Sequence, residues 1–304
     1  MSITKLGLLI CLPFVCDVAA RAEPVAAGQK SGAPASHSSH SPEIDSEHLF
    51  GFTQGSDIGE KGEVEGEVES TGGFGKRAGR YAVTSTAFEL KYLPVENFRI
   101  SPSFALSHQD IAGVPGLDDI RAFSFQGAGL EFKYRLLDRT RAPFGLTIGI
   151  DPHWDRVDPA TGEAVEQYGI DTLAAFDKEL VANRIFAAFN VLYDAEWKRP
   201  LATGEWEKSS TLGLSAAIAD QFLPGFFLGA EVRYLRKYDS IALNNFAGEA
   251  LFVGPTFYAV LSERWNMTLA WNAQIAGRAV GDPSPLDLTN FERNQVRVRF
   301  GTHF

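Results

Sequence analysis

A chain of 304 residues that is 45% hydrophobic and 12% aromatic has the material for one large domain or two ordinary ones. Its 38 acidic residues outnumber 28 Lys and Arg, which argues against nucleic acid as a partner, since phosphate backbones are bound by cations. No long apolar run follows the N-terminus, so a bundle of spanning helices, each needing about 20 apolar residues, is excluded. A β-barrel is not, because its strands show only every second residue to lipid and their mean hydropathy stays near neutral.

Residues 1–22 read as a secretory signal peptide. Lys5 supplies the positive start, Leu6 to Cys16 the short apolar stretch, and Ala20-Arg21-Ala22 the cleavage triplet. Both cysteines, Cys11 and Cys16, lie in this segment, so the exported chain is expected to carry no thiol, no disulfide and no cysteine metal site. That chain has 26 basic against 37 acidic residues, a net charge of −11.

Residues 23–60 are expected to form a disordered periplasmic lead-in, rich in Ser, Ala, Gly, Pro and His at its start. Within it, 49–60 are either part of the lead-in or a plug folded into a lumen. His37, His40 and His48 belong to this region and read as linker residues before metal ligands.

From Gly62 onward the pattern has period two, and residues 61–304 are assigned to the barrel. About twelve segments alternate, near 62–74, 79–92, 96–108, 121–136, 143–154, 168–180, 182–198, 204–220, 224–239, 247–261, 264–278 and 293–304. The fold class is therefore all-β, a transmembrane antiparallel β-barrel of about twelve strands. Short connections at Leu93–Glu96, Glu179–Ala182, Leu223–Gly225 and Ser262–Arg264 alternate with longer polar ones, Gln109–Ile120, Asp155–Gln167, Asp239–Gly248 and Ala279–Glu292. Short periplasmic turns facing longer extracellular loops mark bacterial outer-membrane barrels, and an even strand count returns both chain ends to the periplasm.

The pleat assigns the faces. If the apolar set faces lipid, Glu63, Glu65, Glu67 and Glu69 of the first strand point inward, as do Arg297 and Arg299 of the last. Closure pairs those two strands. Glu131, Lys133 and Arg135, then Glu231 and Arg233, add inward charge. Two uses remain open for this lumen cluster, a salt-bridge ladder that fixes the closing seam or a charged constriction that sorts solutes by sign. Tyr92, Phe98, Tyr134, Phe144, Phe226, Trp265 and Phe304 near one end, and Tyr168, Trp197 and Trp206 near the other, suit two aromatic belts.

No convincing catalytic constellation emerges, and the protein is not expected to be an enzyme. Ser107 and His108 are adjacent and so point to opposite faces, whereas Asp151 and His153 share one, with no partner serine implied. Asp110, Asp118, Asp119, Asp155, Asp158, Asp282 and Asp287 of the outer loops could bind divalent cations or bridge them to lipopolysaccharide, though they lack the spacing of an EF-hand loop, and the Arg135–Arg141 stretch reads as a solvated turn. No cofactor and no metal is called for.

The alternating last strand with Phe300 and terminal Phe304 resembles the C-terminal signal of outer-membrane proteins that the barrel-assembly machinery recognises. His48-Leu49-Phe50-Gly51-Phe52-Thr53-Gln54-Gly55-Ser56-Asp57-Ile58-Gly59 and Asp287-Leu288-Thr289-Asn290-Phe291-Glu292-Arg293 look like segments of uncharacterised, transporter-like barrel proteins of alphaproteobacteria. The resemblance implies the bacterial outer membrane as location, with its lipid and lipopolysaccharide and, during biogenesis, the assembly machinery as partners. It supplies no catalytic or binding residue. The expected function is passive passage of small polar or charged solutes. The alternatives are a closed barrel with a structural or adhesive envelope role, and a lipid-modifying enzyme built on His153 and Asp151.

Overall fold

The computed structural model of the protein describes residues 44–304; the expected signal peptide and residues 23–43 of the expected lead-in lie outside the described residues. Twelve strands follow one another: β1 Val64–Phe74, β2 Arg80–Val95, β3 Phe98–Ala112, β4 Ile120–Leu137, β5 Gly145–Val157, β6 Ala164–Val181, β7 Ile185–Pro200, β8 Glu207–Leu223, β9 Phe226–Tyr238, β10 Phe246–Val260, β11 Trp265–Ala279 and β12 Asn294–His303. Each pairs antiparallel with its sequence neighbours, and β1 pairs with β12, so the sheet closes on itself and has no edge.

The local cause is the alternation of branched and aromatic residues with polar ones, a pattern that suits a pleated sheet with two unlike faces. Tight connections fix the register. Gly225 (φ 78°) and Asn97 (φ 63°) take left-handed backbone in the β8–β9 and β2–β3 turns, which their residue types tolerate. At the other end the connections are longer, up to residues 280–293 between β11 and β12. The contrast is narrower than the sequence suggests at 113–119, 158–163 and 239–245. There β3 runs on to Ala112 and β6 starts as early as Ala164, because polar residues that read as loop sit on the inward face of a continuing strand.

The distribution of polarity is the reverse of a soluble protein's. Phe104, Ile150, Phe189, Ile218, Val232 and Trp271 are among many large apolar side chains exposed on the outer face, while Lys91, Arg99, Lys133, Glu231, Thr268 and Asn272 are buried inside. An apolar outer band around a polar interior is the arrangement that lipid demands of a barrel. Tyr168 and Trp206 stack near the loop end, with ring centroids 6.3 Å apart, and Tyr92, Tyr134, Phe144, Phe226 and Trp265 stand exposed near the turn end. Phe300 and Phe304 also face outward.

Residues 44–60, read from sequence as lead-in with 49–60 alternatively a plug, run inside the barrel against its inner wall. Ser46, Glu47, His48, Leu49, Phe50 and Thr53 are all buried. The segment is held to the wall by hydrogen bonds from the Ile44 carbonyl onward. Val232→Arg tests the assignment of faces: on the lipid side near mid-strand it is expected to cost about 2–4 kcal/mol in urea unfolding of the vesicle-embedded barrel. A change near zero would mean that Val232 does not face lipid.

Candidate functional site

The lumen is built from side chains of every second position together with the inserted segment. Glu47 is its centre. Its carboxylate accepts from Arg99 Nη2 at 2.6 Å and Lys133 Nζ at 2.8 Å, with Lys91 Nζ at 3.5 Å. These three cations come from β3, β4 and β2, and all are almost completely buried. Glu131 supports two of them, 3.0 Å from Arg99 Nη2 and 3.1 Å from Lys133 Nζ. The next residue, His48, is wedged between Glu65 at 2.9 Å and Glu67 at 3.3 Å.

The closing seam continues this network. Lys91 donates to Glu67 at 2.7 Å, Arg299 lies 3.1 Å from Glu67 and also binds Glu69, and Arg297 Nη2 stands 3.2 Å from Glu69. Pairing of Glu69 with Arg299 and of Thr71 with Arg297 across β1 and β12 sets these contacts. At the turn end, just before β1, His303 Nδ1 lies 2.7 Å from Glu63. That hydrogen bond holds the Glu63 carboxyl below its ordinary range against the opposing effect of partial burial.

Deeper along the segment, backbone takes over. Glu231 accepts the amides of Phe52 and Thr53, each at 2.9 Å, and Asn272 Nδ2 at 2.8 Å. Asn190 and the Gln54 backbone exchange two hydrogen bonds, of 2.7 and 2.8 Å, as a strand neighbour would. Leu49 and Phe50 pack on Phe186, Phe227 and Tyr258, the apolar patch on this side of the lumen. Back at the turn end, Arg139 binds Asp57 and the Ile44 carbonyl and lies 3.5 Å from Asp177. The Arg135–Arg141 stretch is thus not a freely solvated turn, because Arg139 is drawn inward by these acceptors. Arg135 stays at the rim, donating to Asn97 Oδ1 at 3.1 Å.

Of the charges expected in the lumen, Glu65, Glu67, Glu69, Glu131, Lys133, Arg297 and Arg299 fall in one connected network, whereas Glu231 and Arg233 do not pair with each other. The Arg233 guanidinium lies over the Phe52 ring, 4.0 Å from its centre, with Arg297 over the same ring at 4.4 Å. Glu47, Lys91, Arg99, Asn190 and Arg139 were not singled out by sequence. Lys91 and Arg99 carried a signal, each standing between outward apolar neighbours; Glu47 carried none, since no periodicity surrounds it.

Glu47, His48 and Glu65 bring three potential metal-ligand atoms within 4.8 Å of one another. Lys91 Nζ, 3.5 Å from His48 Nε2 and 3.6 Å from Glu65, already supplies the positive charge there. Asp287 is no surface cation ligand: it is buried and caps its own turn, accepting from the Asn290 amide at 2.9 Å and side chain at 2.8 Å. His153 faces Asp155 at 3.6 Å and Asp171 at 3.9 Å, and meets Asp151 through the backbone carbonyl.

A family model for a family of unknown function, DUF6662, matches residues 42–304. The chain belongs to that family. No curated protein matches it in sequence. Among solved structures, an outer-membrane channel from Pseudomonas putida F1 superposes with a TM-score of 0.58 at 13% identity, over 82% of this chain and 98% of that one. The β-domain of the Bordetella autotransporter BrkA gives 0.51 at 11% identity, over 81% and 100%. At these identities the likeness is one of fold: this DUF6662 member is an outer-membrane-type β-barrel.

Glu47→Gln removes the charge that three buried cations share. Leaving them without it is expected to weaken docking of the inserted segment by about 3 kcal/mol or more. Limited proteolysis should then cut within 44–60 while the barrel keeps its heat-modifiable gel migration. Cleavage no faster than in the parent would show that Glu47 does not hold the segment.

Proposed function

We propose that this protein is an outer-membrane channel for small polar or charged solutes and that residues 44–60 close it in the conformation described. The observation that carries the proposal is the chemistry of the contact between segment and wall. Most of it is hydrogen bonds and ion pairs, centred on Glu47, Glu231 and Asn190, which water can replace when the segment leaves. A segment sealed by apolar packing alone would leave behind a wall that repels water; this wall, with its many ionised groups, would rehydrate. The apolar patch around Phe50 then acts as a one-sided anchor that favours the closed state.

In this proposal the chain is exported by its N-terminal signal and inserted by the barrel-assembly machinery, which reads Phe300 and Phe304, and it sits among lipid and lipopolysaccharide with its short turns in the periplasm. The lumen cluster serves both the seam and the passage: Glu65, Glu67, Glu69 and Arg299 hold closure, and Glu131, Lys133, Arg233 and Arg297 set the field met by a solute. A closed barrel with a structural envelope role is the second reading, favoured by the same inserted segment.

Gly51 separates the two. A Cβ at this position would collide with Glu231, Ala270 and Thr256, so Gly51→Leu keeps every lumen charge yet cannot seat the segment. In planar bilayers in potassium chloride, the parent protein is expected to open rarely, while Gly51→Leu and a deletion of 44–58 give frequent, discrete, ohmic steps. Variants that fold, as judged by heat-modifiable migration, and give no steps would overturn the channel and favour the structural role.

A further inference from the structure

Beside the inserted segment lies a cavity of about 280 Å³, bordered by Phe52 and Gln54. Its walls carry opposite charges on different arcs of the barrel. Asp151, Asp171 and Asp194 stand on the adjacent strands β5, β6 and β7, while Arg233 and Arg297 stand on β9 and β12.

The acidic arc is costly as it stands. Asp151 pairs directly with Asp171, and Asp171 with Asp194, so three carboxylates occupy directly opposed positions, where like charges destabilise a sheet. Among the described residues no Lys or Arg comes within ion-pairing distance of any of the three, and the one imidazole in range, that of His153, reaches only Asp171, at 3.9 Å. Asp151 Oδ1 is buried without a hydrogen-bond partner. On the basic arc Arg297 pairs with Glu69 at 3.2 Å, and Arg233 is open. Arg233 donates to the neutral Gln295 at 2.7 Å and has no carboxylate within ion-pairing distance among the described residues. It shares the Phe52 ring with Arg297, so two guanidiniums stand against one ring.

We propose that this cavity is a binding site for a small zwitterion of amino-acid to dipeptide size, its ammonium set against Asp151, Asp171 and Asp194 and its carboxylate against Arg233 and Arg297. A simple cation would leave Arg233 uncompensated, and a simple anion would leave the aspartates so; one molecule with both poles answers both. The volume, just under the usual range of small-molecule pockets, suits a ligand of that size. The site deepens the channel proposal by naming the class of solute.

The test is isothermal titration of the refolded full-length protein with glycylglycine, its N-acetylated form and its C-terminal amide. Glycylglycine is expected to bind saturably, and each blocked form at least about tenfold more weakly, since each loses a charge-assisted contact. Asp171→Asn with Asp194→Asn should erase the advantage over the acetylated peptide, and Arg233→Gln the advantage over the amide. Removing like charges from the acidic arc does not threaten folding, so the first variant stays interpretable. Equal binding of all three peptides, or none by glycylglycine, would overturn the site. So would calcium chloride binding alone with an affinity that Arg233→Gln leaves unchanged. Zwitterion binding with no conductance in Gly51→Leu would sink the channel and keep the site; conductance with no zwitterion binding would do the opposite.

Discussion

Charge compensation around Glu47 is the constraint on which the interior depends. Lys91, Arg99 and Lys133 project from three adjacent strands into a space that the inserted segment fills, and all three are buried. Desolvated cations at such close quarters are tolerable only with carboxylates beside them, because the cost of stripping their hydration far exceeds that of ordering a side chain. Glu47 supplies a negative charge that all three share, and Glu65, Glu67 and Glu131 complete the balance from the wall. The carboxylate comes from outside the strands. The barrel wall and residues 44–60 are therefore one electrostatic unit, and neither has a balanced interior without the other.

The same constraint fixes which way the neighbouring strands face. A one-residue slip of β1 against β12 would turn Glu65, Glu67 and Glu69 toward lipid and leave Arg299 facing them from inside with nothing to bind. The apolar outer residues alone would specify the pleat; the interior charges specify the partner. The seam of a closed barrel needs this more than other pairings do, since β1 and β12 are joined by no turn and must find each other across the whole chain.

The barrel was legible in the sequence because its cause is local and repeated. Period-two alternation in Phe98–Leu106 or Val296–Phe304 is enough to set both strand and face, and the charges of β1 and β12 could be paired once closure was assumed. Strand ends were less legible: residues such as Gln109 and Asp155 look like loop, yet they continue inward-facing rows. The inserted segment was not legible in detail. Its fit depends on a glycine pressed against Glu231, on backbone amides that carry no side-chain signature, and on Glu47, whose hydrogen-bond partners lie 52 and 86 residues away in sequence. Arg139 misled for the same reason, since an arginine in a polar turn looks solvated until its acceptors, Asp57 and the Ile44 carbonyl, are brought to it by the fold.

The lumen thus divides by how its charges are balanced. From Glu63 to Glu69 and across to Arg299, nearly every ionised group has an opposite partner within hydrogen-bonding reach, as a structural element requires. Along Asp151, Asp171 and Asp194 like groups face one another instead, and Arg233 rests on a ring rather than a carboxylate. Sequences that fold well avoid such local conflicts except where a site is kept ready for something that resolves them. A wall made only for closure would gain stability from an asparagine at any of the three aspartate positions. That three are placed in one row, beside a cavity and across from the unpaired guanidinium of Arg233, ties the cost to a solute rather than to the fold.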